Sequence, residues 1–159
     1  MKLEPVAVIR GDLQYKEHCS AVVALVNEYR TDPMGGNLDV LNSESEALLI
    51  KGLQEHSTTL VLLAIFETKI IGTAVCFWGF STFQAKTLLN IHDLIVSRKF
   101  RGNGVGTLLL KYASEEAHLR NCCKLTLEVR SDNNRAQHLY RSMSFKPCEN
   151  PMEFWIRQL

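Results

Sequence analysis

The chain has no surplus of charge of either sign, no long apolar run, no CxxC pair and no low-complexity tract. Each absence removes a class of function. Lys and Arg number 18 against 17 Asp and Glu, a net charge of +1, so the surface field as a whole selects neither a nucleic acid nor a polycation. The longest apolar run, Leu60–Phe66, falls far short of the roughly 20 residues of a membrane-spanning helix. Met1 to Arg10 carries Pro5 and Arg10 without an apolar core, so it does not read as a signal peptide. The five cysteines are odd in number and include the adjacent Cys122 and Cys123, which gives neither a disulfide framework nor zinc-ligand spacing. Reduced thiols, no metal and a cytoplasmic location are the expectation.

What remains is an ordinary globular composition, 46% hydrophobic and 22% charged over 159 residues, enough for one domain spanning 1–159. The patterning predicts a short strand at Pro5–Ile9, a helix within Leu13–Arg30 ending before Pro33, and a break at Met34-Gly35-Gly36. A second helix is expected over Ser43–Glu55, with Ser43 as N-cap and Glu46 as its capping-box partner. Leu60–Phe66 and Ile70–Phe77 read as a hairpin about Glu67-Thr68-Lys69, followed by a strand at Leu88–Val96. An amphipathic helix then carries Val105, Leu108, Leu109, Tyr112, Ala113 and Ala117 on one stripe. A strand at Leu125–Val129, a helix capped by Asn133, and closing strands at Phe145 and Met152–Ile156 complete the order. A hairpin first and strand–helix alternation later imply a mixed sheet with helices on both faces.

Arg101-Gly102-Asn103-Gly104-Val105-Gly106 joins a strand to a helix. Alternating glycines let a backbone approach a ligand, and the helix start behind them offers unpaired N–H groups and the positive end of a dipole. Such a turn suits phosphate oxygens, so a pyrophosphate-bearing ligand is expected. A dinucleotide fingerprint would need glycine where Thr107 stands, and a Walker loop would need Gly-Lys-Ser/Thr, which does not occur.

Asp93-Leu94-Ile95-Val96 followed by Arg101-x-x-Gly104-x-Gly106 resembles the acetyl-CoA signature of the GCN5-related N-acetyltransferase superfamily. Leu127-Glu128-Val129-Arg130, then Asn133-x-x-Ala136-x-x-Leu139-Tyr140 and Ser144-Phe145, resembles a later motif of the same superfamily, with Ser144 where members usually have glycine. The resemblance spans Leu88 to Phe145 and implies an α+β fold, an α/β/α sandwich on a mixed, largely antiparallel sheet with a splayed, V-shaped gap for acetyl-CoA. It implies that Leu94, Ile95 and Val96 border the pantetheine arm. Main-chain groups of Arg101, Gly102, Asn103, Gly104, Val105, Gly106 and Thr107 would take the pyrophosphate, with Thr107 capping the helix. Arg101 would supply positive charge, Asn133 would lie by the pantetheine, and Arg141 by the phosphates.

The reaction implied is attack of an amine on the thioester. An alkyl ammonium has a pKa of about 10.4, so a base must take its proton and an acid must protonate the departing thiolate. Tyr140 resembles the family's general acid. Glu128 resembles the base of ribosomal-protein N-terminal acetyltransferases, and His92 stands where polyamine acetyltransferases carry a catalytic glutamate. Successive strand residues face opposite sides, so His92 and Asp93 share one site only across a β-bulge. The acceptor is an amine of a small molecule or a peptide, and Glu28, Asp32 and Asp39 could make an acidic cleft for a polyamine. Two other readings stay open: a non-catalytic acyl-CoA sensor or interaction module, and a nucleotide binder using the same turn. Dimerisation is common in that superfamily, so a homodimer is an expectation that no residue here demonstrates.

Overall fold

In the computed structural model, which describes residues 5–159, apolar alternation along the strands sorts side chains onto two faces of one sheet. In chain order the elements are β1 (Val6–Arg10), α1 (Lys16–Arg30), a 3-10 turn (Pro33–Gly35), α2 (Ser43–Glu55), β2 (Thr59–Phe66), β3 (Lys69–Ser81) and β4 (Lys86–Val96). A second 3-10 turn (Arg98–Phe100), α3 (Val105–Leu119), β5 (Leu125–Leu127) and α4 (Asn134–Ser142) follow. The sheet order is β1-β2-β3-β4-β5, antiparallel except for the parallel pair β4 and β5. Along β2, Leu60, Leu62 and Ala64 join the α3 side of the core, against Val105, Leu109, Leu110 and Ala113. Val61 and Leu63 point the other way, toward Val22 of α1 and Leu53 of α2. The result is an α+β sandwich with helices on both faces, as the patterning implied. Arg10 donates to the buried carboxylate of Glu116 (Nε–Oε1 2.7 Å), tying β1 to α3.

Several local expectations change. The N-cap of α2 is Asn42, whose Oδ1 accepts from Ser45 N at 2.8 Å, and Glu46 accepts from Asn27 Nδ2 instead of reaching back to the cap. β5 is shorter than Leu125–Val129 because its ladder with β4 stops at Ile91↔Leu127. The closing strands at Phe145 and Met152–Ile156 do not form; Pro147 and Pro151, which supply no N–H, interrupt the segment between them. Met152, Phe154, Trp155 and Ile156 are exposed instead. Among the described residues no helix is long and apolar enough to cross a membrane, and no cluster of His, Cys, Asp and Glu could hold a metal.

Candidate active site

The end of the β4–β5 ladder creates the site. Leu89, Asn90 and Ile91 pair with β5, but Leu94, Ile95 and Val96 have no partner there, so the strands part and leave a gap. Two cavities open along it, of about 510 and 360 Å³. Tyr29, Met34, Leu94, Asn133, Ala136 and Tyr140 line both, which marks where they meet.

The larger cavity lies under the glycine turn. Gly102 and Gly104 have φ of 84° and 82°, a left-handed backbone that costs other residues about 1–2 kcal/mol. A Cβ on Gly104 would meet nothing within 4 Å, so open space lies in front of the start of α3. Gly106 serves packing, since its Cβ would come within 3.0 Å of Leu139 Cδ2 on α4. Gly104 is the N-cap without a side-chain cap, and Thr107 does not take that role. Leu108 N–H is the first of the helix to reach a carbonyl, that of Gly104 at 3.0 Å. The N–H groups of Val105, Gly106 and Thr107 thus stay unpaired beside the cavity these residues line. A cradle of amides with room before it fits a diphosphate.

Leu94, Ile95, Val96, Arg101, Gly102, Gly104, Val105, Gly106, Thr107, Asn133 and Tyr140 all line this cavity. Asn103 and Arg141 do not. Asn103 donates its amide to the carbonyls of Phe100 and Arg101, and Arg141 donates to Gln137. Arg101 is not a free cation either: its Nη1 donates to Asp32 Oδ2 at 2.8 Å and its Nε to Val96 O at 3.0 Å. Arg135, on the first turn of α4, takes that place, with Nη2 3.8 Å from where a Gly102 Cβ would stand.

Tyr140 is set by the end of α4. Asn133 caps the helix start (Ala136 N to Oδ1, 3.1 Å). At the other end Ser144 N bonds Arg141 O and Phe145 N bonds Tyr140 O, both at 3.0 Å, a Schellman closure with Ser144 at φ 66°. Its apolar contact is Phe145 against Tyr140, with ring centroids 5.9 Å apart. The glycine missing from the motif is therefore missing where left-handed backbone is required. Burial, and secondarily neighbouring Tyr29, raise the Tyr140 phenol above its ordinary value, so it stays protonated at neutral pH.

The smaller cavity holds His92, Asp93, Glu128 and Phe154 as well as the shared residues. A bulge makes this possible. β3 pairs Val75 with Asp93 and then Cys76 with Ile91, leaving His92 as the extra residue, so both His92 and Asp93 line the cavity. Asp93 is half-buried and its carboxylate has no hydrogen bond or ion pair among the described residues. Burial pushes its pKa up, with nearby His92 pulling the other way. Asp93 also helps burial push the Cys76 thiol up to about 12, which leaves that cysteine inert. Glu128 is exposed, and Arg130 pairs with Asp132 (2.7 Å) rather than with it.

The acidic cleft expected from Glu28, Asp32 and Asp39 does not form as such. Glu28 accepts from Ser97 Oγ (3.0 Å) and Arg98 N, and Asp32 is held by Arg101. Tyr29, Asp93 and Arg135 are site residues that the sequence reading did not select. For Asp93 the signal was the strand-parity conflict with His92, which only a bulge could resolve.

Residues 7–145 match the model of the acetyltransferase (GNAT) family. An uncharacterized N-acetyltransferase of Archaeoglobus fulgidus is 35% identical over 91 residues, 57% of this chain and 62% of that protein. Thialysine N-epsilon-acetyltransferase of Bos taurus is 28% identical over 74 residues, 46% of this chain and 43% of its own length. The matches thus span less than two thirds of both relatives. A crystal structure of a probable acetyltransferase superposes with a TM-score of 0.82 at 19% identity, covering 96% of this chain and 98% of that one. An aminoglycoside acetyltransferase from an uncultured soil metagenomic sample, in complex with trehalose, does so with a TM-score of 0.78 at 19% identity and 97% coverage of each. Both share the fold.

Proposed function

We propose, from the premise that this chain belongs to the acetyltransferase (GNAT) family, that it moves the acetyl group of acetyl-CoA to a primary amine by direct attack in a ternary complex. The observation that carries this reading is the meeting of the two cavities at Tyr140, one under an amide cradle and one beside an unpaired carboxylate. The diphosphate would lie on the amides of Val105, Gly106 and Thr107, with Arg135 as the nearby cation. Pantetheine would run along Leu94–Val96, where β4 has lost its strand partner, in the manner of an added strand.

The acceptor enters the smaller cavity as an ammonium, which Asp93 receives. Glu128 or His92 takes its proton, directly or through water, and the freed amine lone pair attacks the thioester carbon. The new C–N bond forms as the C–S bond breaks, the acylated nitrogen releases its second proton to solvent, and the thiolate takes the Tyr140 proton, which solvent restores. Burial keeps Tyr140 protonated until the thiolate departs, and the same burial makes the uncompensated thiolate a stronger base toward it. A volume of about 360 Å³ suits a small molecule, in keeping with thialysine in the name of the bovine relative. A non-catalytic acyl-CoA sensor would use the larger cavity and leave Asp93 and the smaller one without a role. An amine panel following CoA release tests the reading; it expects release that depends on both acetyl-CoA and amine, and release with no amine dependence would contradict it.

A further inference from the structure

We propose that Asp32 is a positioning residue that makes the acceptor wall respond to occupation of the diphosphate turn, an inference that rests on the acetyl-transfer reading above. Asp32 is buried at the end of α1, with only 7% of its surface exposed, and it holds two segments at once. Its Oδ1 accepts from Met34 N at 3.0 Å and so caps the Pro33–Gly35 turn. Its Oδ2 accepts from Arg101 Nη1 at 2.8 Å and lies 3.4 Å from Arg98 Nε. One carboxylate therefore joins the segment that carries Met34, which borders both cavities, to the first residue of the glycine turn.

The surrounding bonds give that carboxylate few alternatives. Arg101 Nε is anchored on Val96 O, at the end of β4, so its guanidinium is held between that strand end, the first residue of the turn and Asp32. Arg98 Nη2 donates to Glu28 O at 3.2 Å and Thr31 Oγ1 at 3.1 Å, strapping the end of α1 to the same connection. On the acceptor side, Gly35 N and Asn37 N bond Asp32 O at 2.8 and 3.2 Å, and Leu38 N bonds Arg30 O at 2.8 Å. Gly35 packs directly on the end of α1: a Cβ there would lie 1.9 Å from Tyr29 O. Ordering the main chain from Val96 through the turn fixes the guanidinium, the guanidinium fixes Asp32, and Asp32 fixes Met34 beside Tyr29. A diphosphate that orders the turn thus lowers the remaining cost of ordering the acceptor wall, which is positive coupling between the two substrates.

Hydrogen–deuterium exchange on the full chain, with and without saturating acetyl-CoA, tests this at the amides of Met34, Gly35, Asn37 and Leu38. The wild type is expected to exchange there about fivefold more slowly when acetyl-CoA is bound, the lower end of ordinary coupling. Asp32→Asn keeps an oxygen for Met34 N but sets a donor against Arg101, so the acetyl-CoA-induced slowing should vanish while binding itself persists. A purely structural Asp32 would instead raise exchange equally in the free and bound protein. Should Asp32→Asn fail to fold, Asp32→Ser, whose hydroxyl can still accept from Met34 N but is too short to reach Arg101, carries the same expectation. Slowing that survives the severed link, or a wild type that binds acetyl-CoA by calorimetry with no slowing, overturns the coupling alone. A folded wild type with no saturable binding of acetyl-CoA overturns the acetyl-transfer reading as well.

Discussion

The cavity under the Arg101–Thr107 turn is framed by that turn and the free end of β4, whereas the cavity beside His92 and Asp93 draws its lining from α1, β4, the segment after β5, α4 and the C-terminal segment. The first is specified by backbone conformation: two residues at positive φ, a helix start with idle N–H groups, and a strand freed from its neighbour. The second is specified by which side chains a register shift brings together. A site made of amides tolerates side-chain change except at its glycines, while a site made of side chains changes its ligand with each replacement. One scaffold can therefore hold a constant donor and a variable acceptor.

The largest expected effect breaks the main-chain half. Gly104→Glu places an L-residue at φ 82° and a negative charge at the diphosphate, so calorimetry should find acetyl-CoA affinity lowered by about 100-fold or more. Unchanged affinity would move the cradle elsewhere. Next comes the junction. Tyr140→Phe should lower turnover by about 10²–10⁴-fold, the range of a lost general acid, with acetyl-CoA affinity within a few-fold of wild type. Equal turnover would remove Tyr140 from the chemistry.

In the side-chain half, Asp93→Asn should raise the acceptor KM by about tenfold, as for a lost charged hydrogen bond, with less effect on acetyl-CoA affinity. It should also stabilise the fold. Burial raises the Asp93 pKa, so its favourable contribution is complete below the unfolded carboxylate value and is lost as pH rises through the folded one. The variant's gain in Tm should be present at pH 7 and shrink toward ordinary carboxylate pH. A constant difference across that window would argue against a desolvated carboxylate. The smallest effect is expected at Ser144→Gly, which relieves the left-handed backbone at φ 66° and should add about 1 kcal/mol of stability in a denaturant titration without changing turnover.

The same contrast decides how much of the molecule the sequence made legible. The turn, the capped α4 and Tyr140 could be read because each depends on contiguous residues: glycines two apart, Asn133 before an amphipathic run, Phe145 after the helix. Arg101 belongs to the legible turn, but its bond to Asp32, 69 positions away, is revealed only by the tertiary fold. Arg135 and Arg141 lie on one short helix, and which of them faces the cavity depends on how α4 packs against α3 at Gly106 and Leu139. Asp93 was hidden by strand parity until the bulge at His92 appeared. Met152–Ile156 has the alternation of a strand, but alternation does not supply an edge to pair with.

The central claim is that main-chain amides at the start of α3 hold the diphosphate of acetyl-CoA. Titrating acetyl-CoA into the ¹⁵N-labelled chain and following amide resonances tests it most directly. The account predicts saturable shifts that are largest at Gly104, Val105, Gly106 and Thr107, with Leu94 and Val96 responding along the gap. Saturable shifts elsewhere that leave those amides unmoved would contradict it.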